Sequence, residues 1–430
     1  VAAIAGAPRR GTLSAFRHRS YTIFWVGALI SSTGTWLGNL TVPYVLYQMT
    51  GSAVWVGVAA AAQFGPAFVL SPLGGSLADN RDRRMLLLWT QAGLGVITLL
   101  MWLQWASGFH VPIVLVGLLT LFGILNGVNN PAWQSLVNDL VPREDVVSAV
   151  TLNSLQFNLA RALGPAIAGV LLATLGATWA FFFNALSFVI VVVTLFFVRP
   201  HISRILVPVG GGFASQWRDA LAYMARSRAM LLAIALCCVV GLLGNPIFTF
   251  TVVFAETVFE TGPVGMGMLT ASLGVGAVLF AIFQSVIRGR GGSFGRRAAT
   301  AVVALGLALM VMGLVPTLGW GIAAGLAVGA AFLAAFATLN SAIQLMAADH
   351  LRGRVMAARH MVFSGSIALG VLISGVLAEE WGVQLATIIF GAGLIVVAAI
   401  VVLVPGLGFR LLDEAEVEPG AIVPPLDPET

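Results

Sequence analysis

Residues 75–84 read GSLADNRDRR, an island of charge joining two long apolar runs at 54–77 and 85–105. Each run holds the roughly 20 mostly apolar residues that a helix needs to cross a bilayer. The charges between them therefore mark one membrane face. The rest of the chain repeats this pattern. Hydrophobic residues make up 59% of the 430 and charged residues 9%, against about 25% charged in a soluble domain, and the mean hydropathy is +0.98. Too little polar surface exists to clothe a soluble protein. Spans are expected at 21–47, 54–77, 85–105, 112–137, 146–175 and 179–198, then at 230–255, 264–287, 298–314, 319–346, 356–378 and 383–403. The expected fold is an all-α membrane protein of two six-helix bundles with twelve transmembrane helices.

All 22 basic residues are arginine. Without lysine the chain can form neither a P-loop nor a Schiff base, which excludes ATP-driven transport within it and pyridoxal or retinal chemistry. Arginines fall before span one, in the 79–84 loop, at Arg143, in the 199–228 connector, in the 288–297 and 352–359 loops and at Arg410. Those regions alternate with short loops that have none, and arginine-rich loops face the cytoplasm. Both termini are therefore expected in the cytoplasm of a bacterial cell whose inner membrane the chain crosses. The same placement explains the net charge of +5 without nucleic acid. The first apolar run exceeds the 7–15 residues of a signal-peptide core, so it is expected to be retained. Domain boundaries follow: a cytoplasmic segment at 1–20, a bundle at 21–198, a connector at 199–229, a second bundle at 230–404 and an acidic, proline-rich tail at 405–430 expected to lack order. In the connector Phe213, Trp217, Leu221 and Met224 recur at helical spacing, the pattern of an amphipathic helix at the membrane surface or of a solvated linker helix.

A shift of 206 residues superposes Gly38-Asn39 on Gly244-Asn245, Gly123 on Gly329, Ser135 on Ser341 and the stretch from Gly164 on that from Gly370. One offset serving spans one, four and five points to two halves of common origin and orientation, packed around an axis along the membrane normal.

The opening stretch, with Gly75, Asp79 four residues on and Arg83 and Arg84 around the next turn, resembles the signature between spans two and three of major facilitator superfamily transporters. Asp79 and Arg83 have the spacing of a helical ion pair. The resemblance implies a cytoplasmic latch in which Arg83 also meets an acid at the end of span four, where Asp139 stands. A glycine usual in that turn is Asp82 here. Gly164, Pro165 and Gly169 in span five resemble the antiporter element of the family's exporters, with Ala160 and Ala168 at two of its glycine positions; glycine and proline there also permit close packing and a kink. Gly34-Thr35-Trp36 and Thr50-Gly51-Ser52 look most like the branch of enterobactin exporters and macrolide-efflux proteins.

Arg161 lies midway along span five, where an arginine costs at least ~2.5–3.5 kcal/mol on insertion scales. Such a residue faces a cavity, a substrate or a structural partner, and no carboxylate stands at its depth. Amides cluster at similar depth: Asn39, Asn126, Asn129, Asn130, Asn245 and Asn340, on the spans that line the cavity in this family. Trp36, Phe248, Phe332 and Phe336 lie near them. These residues suit an amphipathic substrate, although interhelical hydrogen bonding would also explain the amides. The candidate substrate site is Trp36, Asn39, Asn126, Asn130, Arg161, Asn245, Phe248, Phe336 and Asn340.

The resemblance implies a secondary exporter of a drug-like compound or siderophore, working by alternating access and proton antiport. The alternative is an importer or lipid-type transporter on the same fold. Span one has no acid and Gly123 stands where a span-four arginine would align, so only Asp139 and Glu256 are candidate proton carriers. Cys237 and Cys238 are adjacent, with no third cysteine, which leaves no disulfide framework. The string from Gly291 to Gly295 matches a nucleophile elbow but has no strand before it, and the five histidines lack zinc spacing. The chain is expected to be a monomer, with no enzyme activity, cofactor or metal, whose partners are substrate, lipid and the proton gradient.

Overall fold

The computed structural model describes residues 13–200, 213–286, 293–348, 351–404 and 408–413. Hydrocarbon offers no hydrogen bonds to the backbone, so each crossing must satisfy its own as a helix. The first half consists of α1 (Arg19–Thr50), α2 (Ala53–Asn80), α3 (Arg83–Ala106), α4 (Pro112–Asp139), α5 (Val146–Thr174) and α6 (Gly176–Phe197). A connecting helix, α7 (Phe213–Arg226), leads to α8 (Arg228–Val239) and α9 (Ile247–Val253). With π turns at Val240–Gly244 and Phe254–Val258, α8 and α9 make one crossing, Arg228–Val258. The second half is completed by α10 (Gly262–Val286), α11 (Phe294–Leu314), α12 (Leu318–Met346), α13 (Arg352–Trp381) and α14 (Val383–Leu403). Eleven of these crossings are long and apolar enough to span a membrane by length and composition. The 32-residue α1 makes the twelfth; Ser31, Ser32, Thr33, Thr35 and Asn39 lower its apolarity.

Within the first half α1 packs on α5 and α6, α2 on α4, and α3 on α4 and α6; in the second, α12 packs on α10 and α11, and α11 on α14. Two crossings join the halves, α2 with α13 and α5 with α10. Both use glycines that the 206-residue repeat equates. A Cβ on Gly169 would stand 2.8 Å from Pro263 O and 3.0 Å from Gly267 Cα, and one on Gly375 3.0 Å from Ala53 O and 3.2 Å from Val54 Cα. Only glycine lets the backbones meet there. The repeat recurs inside each half: Gly164 abuts Trp36, and its counterpart Gly370 abuts Leu242, the counterpart of Trp36.

Three sequence expectations need correction. The crossing read as one uninterrupted helix at 230–255 breaks at Asn245-Pro246, because proline has no N–H and its ring clashes with the preceding turn; the backbone widens into a π turn just before it. Arg359, grouped with the cytoplasmic loop, lies two turns inside α13 and is 9% exposed. The tail was expected to lack order from 405, yet Phe409–Asp413 forms a 3-10 turn with Phe409 and Leu412 buried. Its Asp413 Oδ1 accepts from Gly295 N at 2.7 Å, at the start of α11; residues 414–430 lie outside the described residues. The connector helix also has a face packed on the protein. Leu221 is exposed while Tyr223 and Met224 are buried, and Tyr223 Oη donates to Met346 O at 2.9 Å and accepts from Ala348 N at 3.1 Å. That docks α7 on the end of α12. The side chains of Phe213 and Trp217 lie outside the described residues.

Candidate substrate pathway

The opening stretch forms the end of α2, a two-residue turn and the start of α3. Asp82 Oδ1 accepts from Met85 N at 3.1 Å, an N-cap that satisfies one of the helix's free donors. That accounts locally for an acid where the family resemblance expects glycine. Arg83 Nη1 lies 2.8 Å from Asp139 Oδ2, with both side chains largely buried. Arg84 turns away and donates to Leu195 O at 2.8 Å and Phe196 O at 2.9 Å, carbonyls at the C-terminal end of α6 where a cation is favoured. Gly75 and Asp79 fall in the last turns of α2, but their surroundings lie outside the described residues.

At mid-depth Arg161 sits on the seam between the halves. A Cβ on Gly274 of α10 would stand 3.1 Å from Arg161 O, and the guanidinium carbon is 4.9 Å from the centroid of Phe248 in the other half. Arg161 Nε is buried without a hydrogen-bond partner among the described residues. Phe248 begins a run of rings: Phe248 to Phe332 at 5.0 Å, Phe332 to Phe336 at 6.3 Å and nearly parallel, and Phe336 to Phe363 at 4.9 Å. The break at Pro246 sets the direction of Phe248, and Asn245 stands at the same break.

The amides divide into two groups. Asn39 Oδ1 accepts from Gln63 Nε2 at 2.9 Å, joining α1 to α2. Asn129 is buried and its Oδ1 accepts from Thr90 at 3.0 Å. Both serve helix association. Asn126, Asn245 and Asn340 are half-buried and Asn130 is exposed, and no described residue hydrogen-bonds their side chains. Trp36 is half-buried against Gly164. Pro165 and Gly169 serve the α5–α10 crossing, where a Cβ on Gly267 would stand 2.8 Å from Pro165 O. Glu256 lies in the second π turn, at the face opposite the latch, near Gln48 of α1.

Sequence reasoning missed three polar residues. Gln63 and Gln156 are interhelical donors, Gln156 Nε2 reaching Ala28 O at 3.0 Å and Ser32 Oγ at 2.7 Å; each is an amide within a span, which was the available signal. Arg359 is the third. Its guanidinium carbon is 5.2 Å from the Phe336 centroid.

Against known proteins, the family model described as transmembrane secretion effector matches residues 10–425. The chain belongs to that family, within the major facilitator superfamily. It is 25% identical over 412 residues to the multidrug efflux pump Tap of Mycolicibacterium fortuitum, covering 90% of this chain and 96% of the pump. It is 30% identical over 170 residues to the staphyloferrin A transporter of Staphylococcus aureus, a match spanning 39% of this chain and 43% of that transporter. Among solved structures, a bacterial homologue of the human lysosomal transporter Spinster, inward-facing and unoccupied, superposes with a TM-score of 0.72 at 13% identity, covering 93% of this chain and 98% of that one. As a major facilitator protein the chain is a multi-pass membrane transporter and not an enzyme.

Proposed function

We propose that this transporter exports an amphipathic small molecule, a drug-like compound or siderophore, across the bacterial inner membrane by alternating access. The supporting observation is the contact at the seam: Arg161 of one half stands against Phe248 of the other, in the broken α8–α9 crossing that also carries Asn245. A charge placed where two rocking bodies meet can change partners as they move, so a ligand there is coupled to the movement. Close contacts between the halves run from Phe68 with Gly365 and Arg161 with Gly274 at mid-depth to the hydrogen bond from Ala53 N to Glu379 Oε2, 2.7 Å, at the arginine-poor face. With that face sealed and the arginine-rich face cytoplasmic, the cleft receives its ligand from inside the cell. The efflux activity of the relative Tap favours the same direction.

Arg83, Asp139 and Asp79 form the cytoplasmic latch in this reading, and Arg84 anchors α3 to α6. Coupling is by proton antiport, with Glu256 the better-placed carrier because Asp139 is engaged by Arg83. The test is a comparison of intracellular and extracellular metabolites, and of accumulated dyes, between a deletion strain and its parent. An exporter's loss raises the internal level of its substrate. A lowered internal level in the deletion strain would reverse the direction and rule out export.

A further inference from the structure

Beyond Asp79 and Asp139 at one end and Glu256, Glu379 and Glu380 at the other, the twelve crossings contain no aspartate or glutamate. Two arginines nevertheless lie inside. Arg161 is at mid-depth, and Arg359 is buried two turns inward from the cytoplasmic end of α13. Nε of Arg161 and both Nε and Nη1 of Arg359 are buried without hydrogen-bond partners among the described residues. The polar group beside Arg359 is the thiol of Cys237, which carries no balancing charge when protonated. Neighbouring His360 is engaged with Ser364, Nδ1 to Oγ at 3.1 Å. The two guanidinium groups stack at separate points on one run of phenylalanines, Arg161 on Phe248 and Arg359 on Phe336, with Phe332 between.

A buried cation is normally balanced by an acid, and an interior with two cations and no acid has a standing demand for anions. Inorganic anions would meet the charge but not the wall of rings. A planar apolar body would lie along that wall as aromatic groups do, while carboxylates or similar acids accept the paired N–H donors that arginine presents in a fixed fork.

We propose that the substrate is an organic anion with a flat apolar body, its acidic groups held by Arg161 and Arg359 at the two ends of the Phe248–Phe332–Phe336 wall. This rests on the transport reading and adds the charge class of the cargo. Arg359 thereby becomes a binding residue of the second half, beside Arg161 of the first in function.

The test is equilibrium binding to the purified full chain in nanodiscs of zwitterionic lipid, read by fluorescence anisotropy. Carboxyfluorescein and rhodamine 123 share a xanthene body and differ in the sign of their charge. Carboxyfluorescein is expected to bind at least tenfold more tightly. Arg161→Gln and Arg359→Gln should each weaken it tenfold or more, and lysine at either position should retain more affinity than glutamine. Inorganic phosphate at the concentration of the dye should not displace it. Equal affinity for the two dyes, binding of neither, or an anion affinity unchanged in both glutamine variants overturns the proposal. Displacement by phosphate overturns the apolar-body half of it. Size-exclusion profiles identify a variant that has not folded, and the lysine pair then decides. Because binding is read without transport, a dye bound as expected but moved inward would sink the export reading and leave this one standing.

Discussion

Arg83 and Asp139 illustrate how much one ion pair can report. At 2.8 Å, with side chains 12% and 8% exposed, the pair is desolvated enough that removing one partner strands the other; stranding a buried charge costs about 3–5 kcal/mol. Arg83→Ala is therefore expected to cut transport at least tenfold while the chain still inserts. The double exchange Arg83→Asp with Asp139→Arg should recover part of the loss, which surface immunoblotting and dye efflux would measure together. Wild-type efflux in Arg83→Ala would rule out a latch. The signature was legible in the sequence because its residues are neighbours along the chain, although the turn at Arg81-Asp82 breaks the helical spacing read for Asp79 and Arg83; the partner at the end of span four followed from the family resemblance. Arg359 was not legible. Seven residues from a loop, it counts as one more cytoplasmic arginine, and nothing in a linear string shows that it turns inward onto Phe336. The amides were half legible: their depth could be read, but whether a given one meets Gln63, as Asn39 does, or remains open, as Asn245 does, depends on the rotation of the helix.

At the scale of elements, the seam between the halves is made by glycine. The crossings of α5 with α10 and of α2 with α13 bring backbone within reach of a Cβ at Gly169 and Gly375, and small residues let helices associate closely where lipid offers no hydrophobic drive. In the proposed alternating-access cycle the seam belongs to the state closed at the arginine-poor face. Gly169→Leu is expected to open that face, since the added side chain meets Pro263 and Gly267 only while the halves are closed there. In a variant with Cys237 and Cys238 replaced by alanine and one cysteine introduced at Asn245, labelling by a membrane-impermeant maleimide from outside should rise several-fold when Gly169→Leu is added. Unchanged labelling would mean that the crossing is not a gate. The repeat that equates Gly169 with Gly375 could be read from the chain as a common offset. Its geometric content, that equivalent glycines make equivalent inter-half contacts, needed the packing. The interruption at Asn245-Pro246 had its signal in plain view, a proline within an apolar span, but the π turn just before it arises from how the helix accommodates the lost hydrogen bond.

For the whole molecule, the long apolar runs were enough to read the crossings, because each needs about 20 apolar residues irrespective of packing, and the alternation of arginine carries the proposed orientation. Coupling has no such signature. A proton carrier must be an acid that changes both its partner and its exposure as the halves rock, and among the acids of the crossings Glu256 meets that description best. It lies on a π turn, a wide segment that helices use at functional sites. It belongs to the second half and lies near Gln48 of the first, so in the proposed cycle opening that face would separate them and expose the carboxyl further. Closing would bring them together again. Glu256→Gln keeps the shape yet cannot shed a proton. Proteoliposomes with an imposed pH gradient are expected to concentrate a transported dye with wild-type protein, and with Glu256→Gln only to equilibrate it. Collapse of the gradient by a protonophore should abolish concentration in the wild type and change nothing in the variant. If Glu256→Gln still concentrated the dye, the carrier would lie elsewhere; if the protonophore left wild-type accumulation intact, protons would not drive this transporter at all.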